Sequence, residues 1–228
     1  RAGMVDAAVT GGTESVLCFG GIKAWEGLRV MSKDACRPFS KNRNGMVLGE
    51  GAAILILEEL EAAKARGAEI LGEVVGFGAT ADAADIVAPA VEGAASAMTA
   101  ALADGAMAPE EVGYINAHGT ATALNDKTEA AAIRHALGDQ AERVMVSSTK
   151  SMHGHAIGAA GALEAAACLM ALGRGVVAPT IGHEEHDPDI ALDVVPNTAR
   201  EARVDAALSN AFAFGGLNAV LAFRAWRG

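Results

Sequence analysis

A chain of 228 residues that is 51% hydrophobic and 20% charged carries enough apolar side chain for a sizeable core, too much for a disordered tail. Its net charge of −10, with no block of Lys or Arg, makes nucleic acid and anionic membrane poor partners. Three scattered cysteines, Cys18, Cys36 and Cys168, are too few for a disulfide framework and fit a reducing, cytoplasmic setting.

The chain opens RAGMVDAAVTGG, with neither an initiator Met nor a signal-peptide pattern, and enters a strand within five residues. That abrupt start predicts a fragment. Residues 5–10 read as a short buried strand stopped by Gly11 and Gly12, and a loop or short helix follows through 25–31. Residues 36–45 (CRPFSKNRNG) form a loop, 50–57 an apolar strand, and 58–66 a helix ending at Gly67. A strand at 70–76 and an Ala-rich helix at 92–104 come next. Thereafter the alternation is regular: strand 112–115, helix 128–137, strand 144–147, helix 155–172, then two runs, 206–210 and 219–223, around the loop AFAFGGL. The stretch 156–173 has Glu164 as its only charge, but it is Ala- and Gly-rich and near the lower length limit for a membrane span; it predicts a helix buried between layers. The pattern implies a layered α/β fold whose sheet is covered on both faces.

Ligands of such sheets bind outside the carboxyl ends of strands. Three strands run into loops of unusual chemistry, at 116–122 (NAHGTAT), 148–155 (STKSMHGH) and 210–218 (NAFAFGGLN), and these can converge on one site. A lone histidine is commonly structural. His118 and His155, however, each sit in a strand-exit loop flanked by glycine, with no carboxylate base in either motif. Two neutral imidazoles donate hydrogen bonds and can hold a carbonyl oxygen as it becomes an enolate, and a helix opening at His155 would favour the neutral ring. For Lys150, Asp126 and Glu129 two readings stand level: helix-start carboxylates with a solvated lysine, or a buried ion pair bridging two loops.

Other patterns fail on spacing. The histidines of HEEH (183–186) are three apart rather than four, with Pro188 close by, and His153 and His155 lack cysteines at zinc spacing. The G-x-G-x-x-A match at 76–81 opens no helical periodicity. All three cysteines read as structural.

Together the motifs VTGGTES, RPFSKNRNGMVLGEGA, EELEAAKARGA, VGFGATADA, INAHGTAT, VSSTKSMHGHAIGAAGALEA and NAFAFGGLN resemble, in order and across the whole chain, the β-ketoacyl-acyl carrier protein synthases, the thiolase-fold condensing enzymes. The detail is KAS II-like, and KAWEGLRVMS is similar to the nodulation-type synthases. The resemblance implies a thiolase-like α/β fold of mixed sheets covered by helices. Residues 1–67 would end the N-terminal half and 68–228 form the C-terminal half. It implies that His118 and His155 are catalytic, binding the malonyl thioester carbonyl, promoting loss of carbon dioxide and stabilising the enolate. Lys150 would pair with Glu129, with Asp126 and Asn210 in support. Thr120 and Thr122 would meet the pantetheine arm, Phe214 would gate the site and lend its amide to an oxyanion hole, and Gly215 would join the substrate contacts. Arg37 and Arg43 fall in a loop placed to meet acidic carrier protein. The implied activity is fatty-acid chain elongation by decarboxylative Claisen condensation. It uses acyl- and malonyl-loaded acyl carrier protein, in a homodimer, with no cofactor or metal. A type II polyketide or nodulation ketosynthase and a non-catalytic chain-length-factor-like subunit are the alternatives.

Departures from the pattern matter. The family's nucleophilic cysteine lies upstream of VTGGTES, and none of the three cysteines here occupies that position; the chain as written forms no acyl-enzyme. Ala213 stands for a glycine, Leu217 for a threonine, and Ser40 and Asn44 for aspartates.

Overall fold

The computed structural model describes residues 3–228. In chain order its elements are β1 (Ala7–Glu14), α1 (Phe19–Gly27), β2 (Gly51–Glu58), α2 (Leu60–Ala65), β3 (Glu73–Ala81), α3 (Val91–Asp104), β4 (Tyr114–Asn116), α4 (Ala123–Leu137), β5 (Met145–Ser147), α5 (Lys150–His153), α6 (Ala160–Arg174), β6 (Val176–Val177), β7 (Arg200–Glu201), β8 (Ala206–Ala213) and β9 (Leu217–Arg224).

Strands β1 and β2 pair antiparallel from Ala7↔Glu58 to Glu14↔Gly51. Gly11 and Gly12 therefore do not stop the first strand, as their identity suggested. They lie inside it because a Cβ at Gly11 would meet Ala53 O at 2.2 Å and one at Gly12 would meet Gly158 O at 2.6 Å.

The principal sheet has the order β3-β9-β8-β4-β5. β4 is parallel to both β5 and β8, whereas β8–β9 and β3–β9 are antiparallel. Side-chain alternation along these strands builds two cores. Ile115, Leu208 and Ala222 pack on one face with α3 and α4, including Met98 and Ile133. Tyr114, Ala207 and Phe223 pack on the other with Ala165, Cys168 and Leu172 of α6. Leu55 of β2 joins that second core, so α6 is a middle layer between the sheet and the β1–β2 pair. This is the buried apolar helix expected from 156–173, shifted toward its C-terminal end.

Because β4, β5 and β8 run in the same direction, their carboxyl ends share one edge of the sheet. The loops bearing His118, Lys150 and Phe214 all leave from that edge.

Candidate active site

β4 is wholly buried and delivers His118 two residues past its end. The turn is held by Glu129 of α4, whose carboxylate accepts from the amides of His118 (2.9 Å) and Gly119 (2.8 Å). Asn210 of β8 donates its Nδ2 to the same carboxylate at 3.1 Å, tying three elements to one buried acid. Burial pushes Glu129 above the usual carboxylate range, opposed by those donors and by Lys150. Asp126 does comparable work one turn earlier, accepting from Phe39 N at 2.8 Å and Ala121 N at 3.2 Å. Burial raises it to about 6, against the pull of the Phe39 amide.

Lys150 opens α5 and is fully buried; its Nζ pairs with Glu164 Oε1 of α6. The sequence reading paired it with Glu129, and the structure corrects this. Glu129 is already engaged by two amides and Asn210, while Glu164 enters from the opposite face of the sheet as the lone acid of an apolar helix. That loneliness was the available signal, since a charge on a buried helix requires a partner.

Hydrogen bonds set the tautomers of both histidines. Lys150 Nζ lies 3.4 Å from His118 Nδ1, and an ammonium only donates, so Nδ1 accepts and Nε2 carries the proton. Ile157 N donates to His155 Nδ1 at 3.2 Å, which again leaves Nε2–H as the free donor. The rings stand edge to face with centroids 5.4 Å apart. Both are held neutral. His118 lies well below the ordinary histidine range through burial, then the charge of Lys150; His155 is lowered to about 3 by the same causes.

No helix opens at His155. Its backbone instead bridges to 47–49, and α6 begins at Ala160 after a 3₁₀ turn. Burial and the lysine, rather than a helix dipole, keep the ring neutral.

One cavity of about 570 Å³ joins these groups; His118, His155, Thr120 and Thr122 line it opposite an apolar wall that includes Trp25 and Phe214. The two threonine hydroxyls bond each other at 3.0 Å. Phe214 lies in the β8–β9 connection, its ring 6.0 Å from half-buried Trp25, a partner that sequence reasoning missed. Gly215 is not part of the lining; its amide donates to Ile86 O at 2.8 Å. Among the described residues no three His, Cys, Asp or Glu are grouped as metal ligands. Asn116 Oδ1, Asn210 Oδ1 and Glu164 Oε2 are buried without hydrogen-bond partners, oxygens of the type that hold water or a hard cation.

The expectation for the 36–45 loop changes outright, whereas the cysteines stay outside the chemistry as expected. Arg37 pairs with Asp34 and Glu184, and Arg43 with Asp187, and both guanidinium groups are largely buried. They brace the 36–45 loop against the acidic segment 183–189 and offer no free positive charge to an acidic partner. The cysteines are inert or remote: burial pushes Cys36 to about 11 and raises Cys168 further, and Cys18 lies outside the cavity lining.

The depressed His155 has a thermodynamic consequence. Between about pH 3 and 6.5 the folded chain binds fewer protons at this ring than the unfolded chain. Its contribution to stability is present above 6.5 and is lost as pH falls. His155→Gln is expected to reduce the slope of stability against pH below 6.5 by about 1.4 kcal/mol per pH unit. Urea unfolding at pH 5 and pH 7 checks this, and parallel pH profiles for wild type and variant would contradict it.

Comparison with known proteins bears on the chemistry. Residues 1–63 match the family "Beta-ketoacyl synthase, N-terminal domain" and residues 71–184 match "Beta-ketoacyl synthase, C-terminal domain". Nodulation protein E of Rhizobium sp. (strain N33) is 54% identical over 98% of this chain and 56% of its own length. The 3-oxoacyl-[acyl-carrier-protein] synthase 2 of Synechocystis sp. is 49% identical over 99% of this chain and 56% of that protein. A solved type II PKS ketosynthase in complex with its acyl-carrier protein superposes with TM-score 0.97 at 36% identity, covering 99% of this chain and 58% of that one. The chain thus spans about half the length of the curated relatives it matches.

Proposed function

The chain belongs to the beta-ketoacyl synthase family, with its thiolase-like fold, and on that premise we propose that the protein joins malonyl units to an acyl chain by decarboxylative Claisen condensation. The observation that carries this reading is the pair of neutral imidazoles, each with Nε2–H free, at one cavity.

A malonyl thioester carbonyl oxygen placed between them accepts from both donors. As the carboxylate carbon leaves as carbon dioxide, the bond's electron pair enters the enolate, and the charge gathers on that oxygen. Donors fixed before reaction stabilise the charge without reorganisation, and the Lys150 ammonium behind His118 adds to the field. The enolate carbon then attacks an acyl thioester, forming the new carbon–carbon bond and releasing the thiolate. The nucleophile that bears this acyl group is not among Cys18, Cys36 and Cys168; in this reading it comes from the region of the relatives that the chain does not span. Trp25 and Phe214 provide an apolar wall suited to an acyl chain, and Thr120 and Thr122 face the pantetheine arm.

The proposal includes acyl carrier protein as the donor of both substrates, a homodimer, a cytoplasmic location and fatty-acid elongation as the pathway. A nodulation-type synthase with the same chemistry is the second reading, favoured by 54% identity to Nodulation protein E against 49% to the Synechocystis synthase. A non-catalytic subunit is disfavoured, since it has no need of His118, His155 and the buried Lys150–Glu164 pair. Incubation of the protein, expressed from its own gene, with malonyl- and acyl-loaded carrier proteins is expected to yield a 3-oxoacyl carrier protein two carbons longer, read by intact mass. Absence of both carbon dioxide and product would sink the reading.

A further inference from the structure

We propose that His153 is the positioning residue that sets the orientation of His155, a role that rests on the condensation reading above. His153 is bonded at both ring nitrogens. Nδ1 lies 2.8 Å from Gly154 O and Nε2 lies 3.1 Å from Thr149 Oγ1. A carbonyl only accepts, so Nδ1 donates; burial disfavours a second proton on the ring, which leaves Nε2 to accept from the threonine hydroxyl and the proton on Nδ1.

That bond acts on a particular peptide. The carbonyl of Gly154 and the amide of His155 belong to one plane. His153 holds the carbonyl end, and Val47 O accepts from the amide end at 2.7 Å. The peptide that feeds the His155 α-carbon is therefore fixed from both sides. His155 O accepts from Gly49 N at 3.0 Å, and its Nδ1 accepts from Ile157 N. The segment has no slack. Gly154 has φ +71°, and a Cβ there would meet Leu48 O at 2.8 Å. With every other polar group of His155 engaged, Nε2–H is aimed by the placement of its backbone.

At its far side the clamp is anchored in the core. Thr149 Oγ1 accepts from Asn116 Nδ2 at 3.3 Å, Asn116 Nδ2 also donates to Tyr114 Oη at 3.1 Å, and Tyr114 Oη bonds Ser147 Oγ at 2.9 Å. Asn116 ends the strand that delivers His118, so one chain of hydrogen bonds relates both catalytic rings to the same strand. A plain helix-terminal histidine would leave one nitrogen to solvent. This one, on a four-residue helix, does not.

The test uses three variants of the protein. Asn at 153 places a side-chain donor where Nδ1 was and can still reach Gly154 O; Gln reaches toward Thr149 only; Ala does neither. His153→Ala is expected to lower kcat for carbon dioxide release from malonyl carrier protein roughly tenfold or more, with KM within about twofold. His153→Asn restores most of the rate and His153→Gln does not. In ¹⁵N-histidine spectra, wild-type His153 shows the Nδ1–H tautomer, and the His155 ring signals move in the Ala and Gln variants but not in the Asn variant. Unmoved His155 signals in all three, or an equal loss of rate in all three, would overturn the proposal. Absence of carbon dioxide release from the wild type itself would instead overturn the condensation reading, and the spectra still decide the clamp.

Discussion

Lys150→Met is expected to cost about 3–5 kcal/mol of stability, because it strands a carboxylate in the middle layer of the fold. Lys150 and Glu164 are both 0% exposed, and Glu164 Oε2 already lacks a hydrogen-bond partner. Without the ammonium, Glu164 must either stay charged in an apolar layer or take up a proton. Burial raises its affinity for that proton even beside Lys150, which opposes the effect. Holding it neutral costs about 1.4 kcal/mol for each pH unit above the unfolded value of 4.5. The sign follows: a carboxyl whose folded pKa is raised favours folding most below pH 4.5 and loses that contribution as pH rises. In the wild type Glu164 is itself raised to about 7, and loss of Lys150 raises it further. The deficit of Lys150→Met should therefore be smallest at and below about pH 7 and widen as the solution is made alkaline. Adding Glu164→Leu removes the stranded acid and should recover much of the loss. Urea midpoints at constant m-value measure all three, and a deficit below about 1 kcal/mol at pH 7 would show that the pair does not hold the layer.

Glu129→Ala is expected to be nearly as damaging by another route. It leaves the amides of His118 and Gly119 and the Nδ2 of Asn210 without their acceptor. A buried unpaired donor costs about 1–3 kcal/mol, so a loss of about 3 kcal/mol or more is expected, together with release of the turn that carries His118. Glu129→Gln keeps one carboxamide oxygen for the two amides and should retain a substantial part of both stability and activity. If Ala and Gln behave alike, the carboxylate is not the brace described here.

The contrast between these two acids shows what could be read from the residues alone. The strand exits, the loops that converge and the two histidines were legible, because Gly-flanked polar residues after apolar runs announce themselves by pattern. The partner of Lys150 was legible only in part: the lone acid of an apolar helix signals that Glu164 needs a partner, but the choice between Glu129 and Glu164 rests on which face of the sheet each approaches, and that depends on tertiary layering. The start of α6 was misplaced for a related reason. Residues 155–159 suit a helix by composition, but the pairing of His155 with 47–49, more than a hundred residues away, overrides local preference. Gly11 and Gly12 read as breakers until the neighbouring backbones that occupy their missing side chains are in view. Arg37 and Arg43 looked available because nothing in the sequence announces that 183–189 folds back over them.

The central claim is that His118 and His155 act together as neutral donors to one oxygen. Carbon dioxide release from malonyl carrier protein, followed in wild type, His118→Ala and His155→Ala, tests it most directly. Loss of either donor is expected to slow release by about 10²–10³-fold, with binding of the malonyl carrier protein little changed. Release at the wild-type rate in either variant would contradict the account.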